Sequence, residues 1–150
     1  MISTAKKISL LLIGCFCSFA LAYGQDLKES DVPLKVRETF KSLYPDTYVY
    51  EWEWEKKKGL YEAEFILKGK KHEGYFAPDG TWRKTTQDIK KHEVPEAIWR
   101  SIGQSAYAGW EIDDTEIHHT PQHKVVYEIE VKQKKQKVKL YYLPDGTPTE

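Results

Sequence analysis

Apolar and polar positions alternate with a period of two along much of the chain, and the alternating stretches occur twice. Tyr61-Glu-Ala-Glu-Phe65 puts Tyr61, Ala63, Phe65 and Leu67 on one side of an extended chain and Glu62 and Glu64 on the other. That is the pattern of a half-buried strand. Tyr127-Glu-Ile-Glu-Val131 repeats it 66 residues on (61 to 127). Each stretch leads through a basic turn, Lys68-Gly-Lys70 or Lys132 to Lys137, into a second strand. These second strands end in Tyr75-Phe-Ala-Pro-Asp-Gly-Thr81 and Tyr141-Tyr-Leu-Pro-Asp-Gly-Thr147, again 66 apart (75 to 141). Pro-Asp-Gly predicts a tight turn, since Pro pre-sets φ and Gly accepts a positive one.

Before each hairpin the period changes to that of a helix. Val32, Val36, Phe40 and Leu43 fall on one stripe, with Ser30 or Asp31 as the expected N-cap, Pro33 in the first turn and Pro45 as the stop. Val94-Pro95, Ile98 and Ile102 repeat that stripe 62 residues on (36 to 98); Gly103 weakens the second helix, and the segment up to Gly109 ends it. Tyr48 to Glu55 alternates Tyr48, Tyr50, Trp52 and Trp54 with Val49, Glu51, Glu53 and Glu55. It predicts a strand whose aromatic side is core beneath the first helix; an exposed aromatic platform for a glycan or peptide is the competing reading. Thr81 to Asp88 reads as a fourth strand. Trp110 to Ile117 reads as a strand opening the second unit's sheet, followed by a loop over His118 to Lys124. The chain has little room for a fourth strand after Asp145-Gly146.

Strands in runs, with one helix per unit and no β-α-β alternation, predict an α+β fold. Two tandem α-β-β-β(-β) repeats, 30–89 and 92–150, form a single domain over 26–150, an antiparallel sheet with its helices packed on one face. A repeat of about 60 residues buries only about 60% of its unfolded surface alone, so the halves are expected to share one core. The opposite sheet face is expected to stay open to water or a partner.

At these residues the chain resembles a family. The Val-Pro helix starts, Phe40-x3-Tyr44-Pro45, Trp52-Glu-x-Glu55, Tyr61-Glu-Ala-Glu-Phe65 and Asp79-Gly-x-Trp82 are similar to those of the PepSY-like proteins. These are exported proteins of Bacteroidetes-type bacteria, also called β-lactamase-inhibitor-like. The resemblance covers nearly all of the chain beyond its first residues. It implies a sheet with helices on one face, as in the tandem repeats of the β-lactamase inhibitory protein, and it implies no established activity.

Targeting changes the composition. Lys6 and Lys7 precede the apolar, uncharged run Ile8 to Ala22, which is short for a membrane span and ends in small residues. That is an export signal, residues 1–22, with cleavage after Ala22 or after Gly24, and it predicts a periplasmic or secreted protein. Leu12-Ile-Gly14-Cys15 is the alternative, a lipoprotein anchored at Cys15; the apolar residues that follow it disfavour a polar tether. Cleavage removes both cysteines, so no disulfide holds the remainder. It also leaves 21 of the 23 basic residues against 23 acidic ones. A sign-mixed, near-neutral chain offers no footprint for nucleic acid or an anionic membrane.

The open face is the candidate site. By alternation Glu62, Glu64, Glu73 and Tyr75 share it in the first unit, and Glu128, Glu130, Lys139 and Tyr141 in the second. Tyrosines among charged groups suit a protein-binding surface; a solvated sheet carrying weak cross-strand Glu/Lys pairs is the plain alternative. Regular Glu alternation offers no asymmetric carboxyl pair for glycoside hydrolysis, and no calcium-loop pattern is present. No nucleophile elbow, Ser-His-Asp set or phosphate loop is found either. The expected protein is therefore not an enzyme and uses no cofactor. His118, His119 and His123 are weak metal candidates, and Pro121 argues against a helical His-x3-His pair.

Two readings follow. One is a non-catalytic binding protein, an inhibitor or modulator of an envelope or secreted enzyme, acting as a monomer or weak dimer with an unidentified protein partner. The other is a small-ligand or metal-ion-binding envelope protein. A purely structural role in the envelope is not separable from the first.

Overall fold

The computed structural model describes residues 25–149. Among these residues nine strands form one antiparallel sheet, each strand lying beside the one next to it in sequence. β1 (Gln25–Leu27) lies at one edge and is followed by a 3-10 turn and helix α1 (Leu34–Leu43). β2 (Val49–Glu55), β3 (Leu60–Leu67), β4 (Lys70–Phe76) and β5 (Trp82–Asp88) complete the first half. Helix α2 (Glu96–Gly103) opens the second, with β6 (Glu111–His119), β7 (Val126–Gln133), β8 (Gln136–Tyr142) and the two-residue β9 (Pro148–Thr149).

The first helix begins two to three residues later than the Ser30 or Asp31 cap predicts. Ser30 and Asp31 close the 3-10 turn Glu29–Asp31, and Pro33 stands as the N-cap with no side-chain hydrogen bond. Pro95 plays the same part for α2. Proline suits the position because its missing N–H would have no intrahelical acceptor there. α1 buries Val36 and Phe40, α2 buries Ile98 and Ile102, and Val32 and Val94 pack in just before them. Leu43 departs from the expected stripe: it is exposed, and Tyr44 packs on the core in its place. The second helix stops at Gly103, six residues before Gly109.

The expectation of one shared core is corrected. Val32, Val36, Phe40, Trp52, Ala63, Phe65 and Phe76 form one cluster; Ile89, Val94, Ile98, Ile102, Ile129, Val131 and Tyr142 form another. Six of their positions correspond through the duplication, Ala63 with Ile129 and Phe40 with Ile102 among them. The seam between the halves is β5 against β6, where Thr85 faces His119, Thr86 faces His118 and Gln87 faces Ile117. Apart from Ile117, which packs on the second cluster, the side chains here are polar, so the seam carries ladder hydrogen bonds but little shared apolar area. Each helix therefore serves its own half, and the continuous sheet joins them.

One register shift re-sorts the aromatic strand. A bulge between Val49 and Glu51 interrupts the pairing of β2 with β3. Val49 and Trp52 then face the helix, whereas Tyr48 and Tyr50 are exposed and the Tyr50 hydroxyl donates to Glu64 Oε2 at 2.9 Å. An extra residue in one strand reverses side-chain facing beyond it.

Candidate functional site

Both helices pack on the side of Ala63, Phe65, Ile129 and Val131. The alternate residues look the other way, where no helix among the described residues lies against them. The strand register arranges them in rows. Asp26, Glu53, Glu62 and Tyr75 form the first row and end on Lys84. Glu51, Glu64, Glu73, Thr86 and His118 form the second. Asp88, Glu116, Glu128 and Tyr141 form the third, and Glu130 with Lys139 lies beside it. All eight residues proposed for the face, Glu62, Glu64, Glu73, Tyr75, Glu128, Glu130, Lys139 and Tyr141, lie on it.

Its centre is not simply solvated. Glu62 is 6% exposed, Tyr75 5% and Glu128 4%, although all three lie on the face without helices. Their neighbours bury them: Lys58 Nζ stands 4.6 Å from the centroid of the Tyr75 ring and Lys84 Nζ 5.3 Å, both in cation–π range. The Tyr75 hydroxyl donates to Glu73 Oε2 at 2.7 Å. Burial and that acceptor push the Tyr75 phenol far above its ordinary value, and burial and Glu128 push Tyr141 up to about 12.

The two halves differ in charge. In the first, Asp26, Glu51, Glu53, Glu55, Glu62, Glu64 and Glu73 share the face with three lysines among the described residues, Lys58, Lys71 and, at the end of the first row, Lys84. Lys71 binds Glu64 at 2.8 Å and Glu73 at 3.6 Å. Tyr50, 45% exposed, and Ile66, 51% exposed, lie beside these carboxylates. In the second half four carboxylates, Glu111, Asp113, Glu128 and Glu130, are paired with lysines, whereas among the described residues Asp114 and Glu116 are not. Lys132 and Lys137 each reach Asp113 at 2.6 Å, Lys137 also reaches Glu130 at 2.7 Å, and Lys139 reaches Glu128 at 2.5 Å. These pairs hold the Asp113 carboxyl well below its usual range.

Glu62 titrates near neutrality. Burial first, then repulsion from Glu73, raises its carboxyl from 4.5 to about 7, with Lys58 opposing. The native state thus holds a proton that the unfolded chain has released between about pH 4.5 and pH 7. Stability therefore falls as pH rises through that window. Thermal melts at pH 5 and pH 8 should show wild type losing stability between them. Glu62→Gln should lose less, matching wild type at pH 5 and exceeding it at pH 8. An unchanged pH slope in the variant would contradict the assignment.

The three histidines do not converge. His118 and His119 belong to β6, which runs further than expected, and adjacent strand residues point to opposite faces. His118 lies on the open face, 4% exposed, with Nε2 3.0 Å from Glu116 Oε2 and 3.4 Å from Glu128 Oε2. His119 Nδ1 lies 2.6 Å from the Lys124 carbonyl on the other side, and His123 sits in the loop after it. Glu116, Lys84, Tyr50 and Ile66 are site residues that the hairpin pattern alone does not single out. Extending the alternation two residues past Ile117 would have brought Glu116 and His118 onto the face. Tyr50 depends on the bulge.

Two helices on one side of a sequential antiparallel sheet, with a charged aromatic face on the other, define a β-lactamase-inhibitor-like architecture. A family profile described as "Putative beta-lactamase-inhibitor-like, PepSY-like" matches residues 22–66 and 59–147. The chain belongs to this family. A DUF2874 family protein from Bacteroides ovatus is similar at 26% identity and TM-score 0.65, over 80% of this chain and 86% of that one. A BLIP-like protein from Bacteroides fragilis is similar at 25% identity and TM-score 0.62, over 77% and 82%. A protein from Bacteroides eggerthii described as a "putative periplasmic" protein shares the fold at 22% identity and TM-score 0.63, over 79% and 86%. No curated protein matches the sequence. No helix among the described residues is long and apolar enough to cross a membrane. The export signal and Cys15 lie outside the described residues.

Proposed function

We propose that the chain is a non-catalytic exported protein of the cell envelope that captures a protein partner through the face without helices. The observation that carries this reading is the first half of that face. Seven carboxylates stand there against three lysines, with Tyr50 and Ile66 exposed among them. Exposed aromatic and aliphatic groups supply buried area on contact, and unmatched charge selects a basic partner surface and speeds encounter. The family's inhibitor-like description supports an inhibitor or modulator of an envelope or secreted enzyme. The single-domain organisation over 26–150, the cleaved leader and the periplasmic or secreted location belong to the same proposal. The eight face residues are its contact set, Glu62 and Tyr75 acting from beneath their neighbours. Metal binding is the second reading, favoured by the Glu116–His118–Glu128 cluster.

Capture from envelope extract with matched charge reversals tests the proposal. Glu51→Lys/Glu53→Lys changes the open face, and Glu38→Lys/Glu96→Lys makes the same change on the helices. The first pair should lose the partner by tenfold or more and the second should retain it. Equal capture by both pairs would contradict the assignment of the face.

A further inference from the structure

We propose that Glu116, His118 and Glu128 form a binding site for a single divalent transition-metal ion of the zinc class. The site goes beyond capture of a protein partner and does not depend on it. Sheet geometry builds it. Glu116 and His118 are two apart on β6 and so share a face, and Glu128 lies directly opposite Glu116 on β7. One possible ligand atom from each converges within 4.8 Å of the others, and His118 Nε2 faces Glu116 Oε2 and Glu128 Oε2. The two separations from the imidazole, 3.0 and 3.4 Å, bracket the ligand–ligand edge of about 3.3 Å that tetrahedral zinc requires at bond lengths of about 2.0–2.1 Å.

The surroundings prepare the donors. Lys139 Nζ holds Glu128 Oε1 at 2.5 Å, which leaves Oε2 turned toward His118. Tyr141 stands directly opposite Glu128 on β8. Such outer contacts fix the orientation of a ligating carboxylate. Lys139 pairs with Glu128 and Lys84 stands nearby, but among the described residues no lysine pairs with Glu116; His118 and Glu128 are both 4% exposed, and a dication would bind the carboxylate that no lysine holds. A cavity of about 190 Å³ lined by His118, Thr120, Gln122, His123, Val126 and Tyr141 adjoins the imidazole. It offers entry and room for a fourth, exchangeable ligand.

The duplication supplies a contrast. Glu62 corresponds to Glu128 and pairs with Glu53 as Glu128 pairs with Glu116, and two residues further along the strand Glu55 stands where His118 does. Glu73 takes the place of Lys139. The first half thus has carboxylates alone, without the imidazole nitrogen or the cation that orients Glu128. An imidazole with two carboxylates suits zinc, cobalt or iron(II) better than calcium or magnesium, which take all-oxygen sets.

Chelator-treated protein titrated at pH 7.5 with zinc by calorimetry, and with cobalt(II) by visible absorption, tests the site. One equivalent of zinc should bind and raise the melting temperature. Cobalt should give the intense d–d bands of a four-coordinate ion. Calcium and magnesium at the same concentrations should give neither. His118→Gln and Glu116→Gln should each weaken zinc binding tenfold or more, while His123→Ala should leave the affinity within twofold. No heat and no cobalt bands in wild type would overturn the proposal whatever the variants do. Undiminished binding in folded His118→Gln would overturn it too, as would loss of binding in His123→Ala.

Discussion

Gly146→Ala is expected to destabilise the protein by about 2–5 kcal/mol: about 1–2 from a left-handed residue with a side chain and about 1–3 from overpacking. Gly146 has φ +86°, and a Cβ there would stand 2.6 Å from the Ala97 carbonyl oxygen and 2.8 Å from Ser101 Oγ. The Asp145-Gly146 turn is pressed against α2, and Ser101 Oγ donates to the Gly146 carbonyl at 2.7 Å. Gly80 repeats the arrangement against α1, with φ +89° and a Cβ position 2.9 Å from the Lys35 carbonyl oxygen. Both turns therefore need glycine for conformation and for close approach to a helix. Gly69 separates the two terms, since its φ is +76° and no atom lies within 4 Å of its would-be Cβ. Denaturant titration should place Gly69→Ala about 1–2 kcal/mol below wild type, the cost of the left-handed conformation alone. Equal losses at Gly69 and Gly146 would show that turn–helix contact contributes nothing.

Phe65→Ala should cost about 3–5 kcal/mol, the range for removing a buried aromatic ring and leaving a cavity. Phe65 is fully buried, with ring centroids of Tyr44 at 4.6 Å, Phe40 at 5.0 Å and His72 at 5.6 Å. Three aromatic groups would lose their common neighbour. Because the halves have separate clusters, the loss should be concentrated in the first. Native-state hydrogen exchange should accelerate most in β2, β3 and β4. Uniform acceleration through β7 and β8 would instead show that the two clusters unfold as one cooperative unit.

Much of the fold could be read from the sequence because both signals are strong. The 66-residue repetition of Tyr-Glu-x-Glu, with period two, defines the buried columns Ala63, Phe65 and Ile129, Val131 before any coordinate is known. The Val-Pro helices, with apolar residues four apart, define the layer above them. What escaped depends on single residues. The bulge at Val49–Glu51 carries no compositional mark, and it sends Tyr50 to the face opposite the expected one. His118 and His119, beside Thr120-Pro121, look like a loop, yet β6 continues through both. Alternation placed Glu62, Tyr75 and Glu128 on the open face but could not show them buried. That burial comes from lysine stems and tyrosine rings contributed by neighbouring strands. The expectation of one core failed because β5 and β6 meet through Thr, Gln and His side chains.

A photo-reactive amino acid placed in the chain in its native cells tests the central claim most directly. Tyr50 and Ile66 are exposed on the open face, and Leu34 and Leu43 are exposed on α1. Irradiation should crosslink a discrete protein partner from Tyr50 and Ile66 and none from Leu34 or Leu43. Crosslinks from the α1 positions alone would contradict recognition through the sheet.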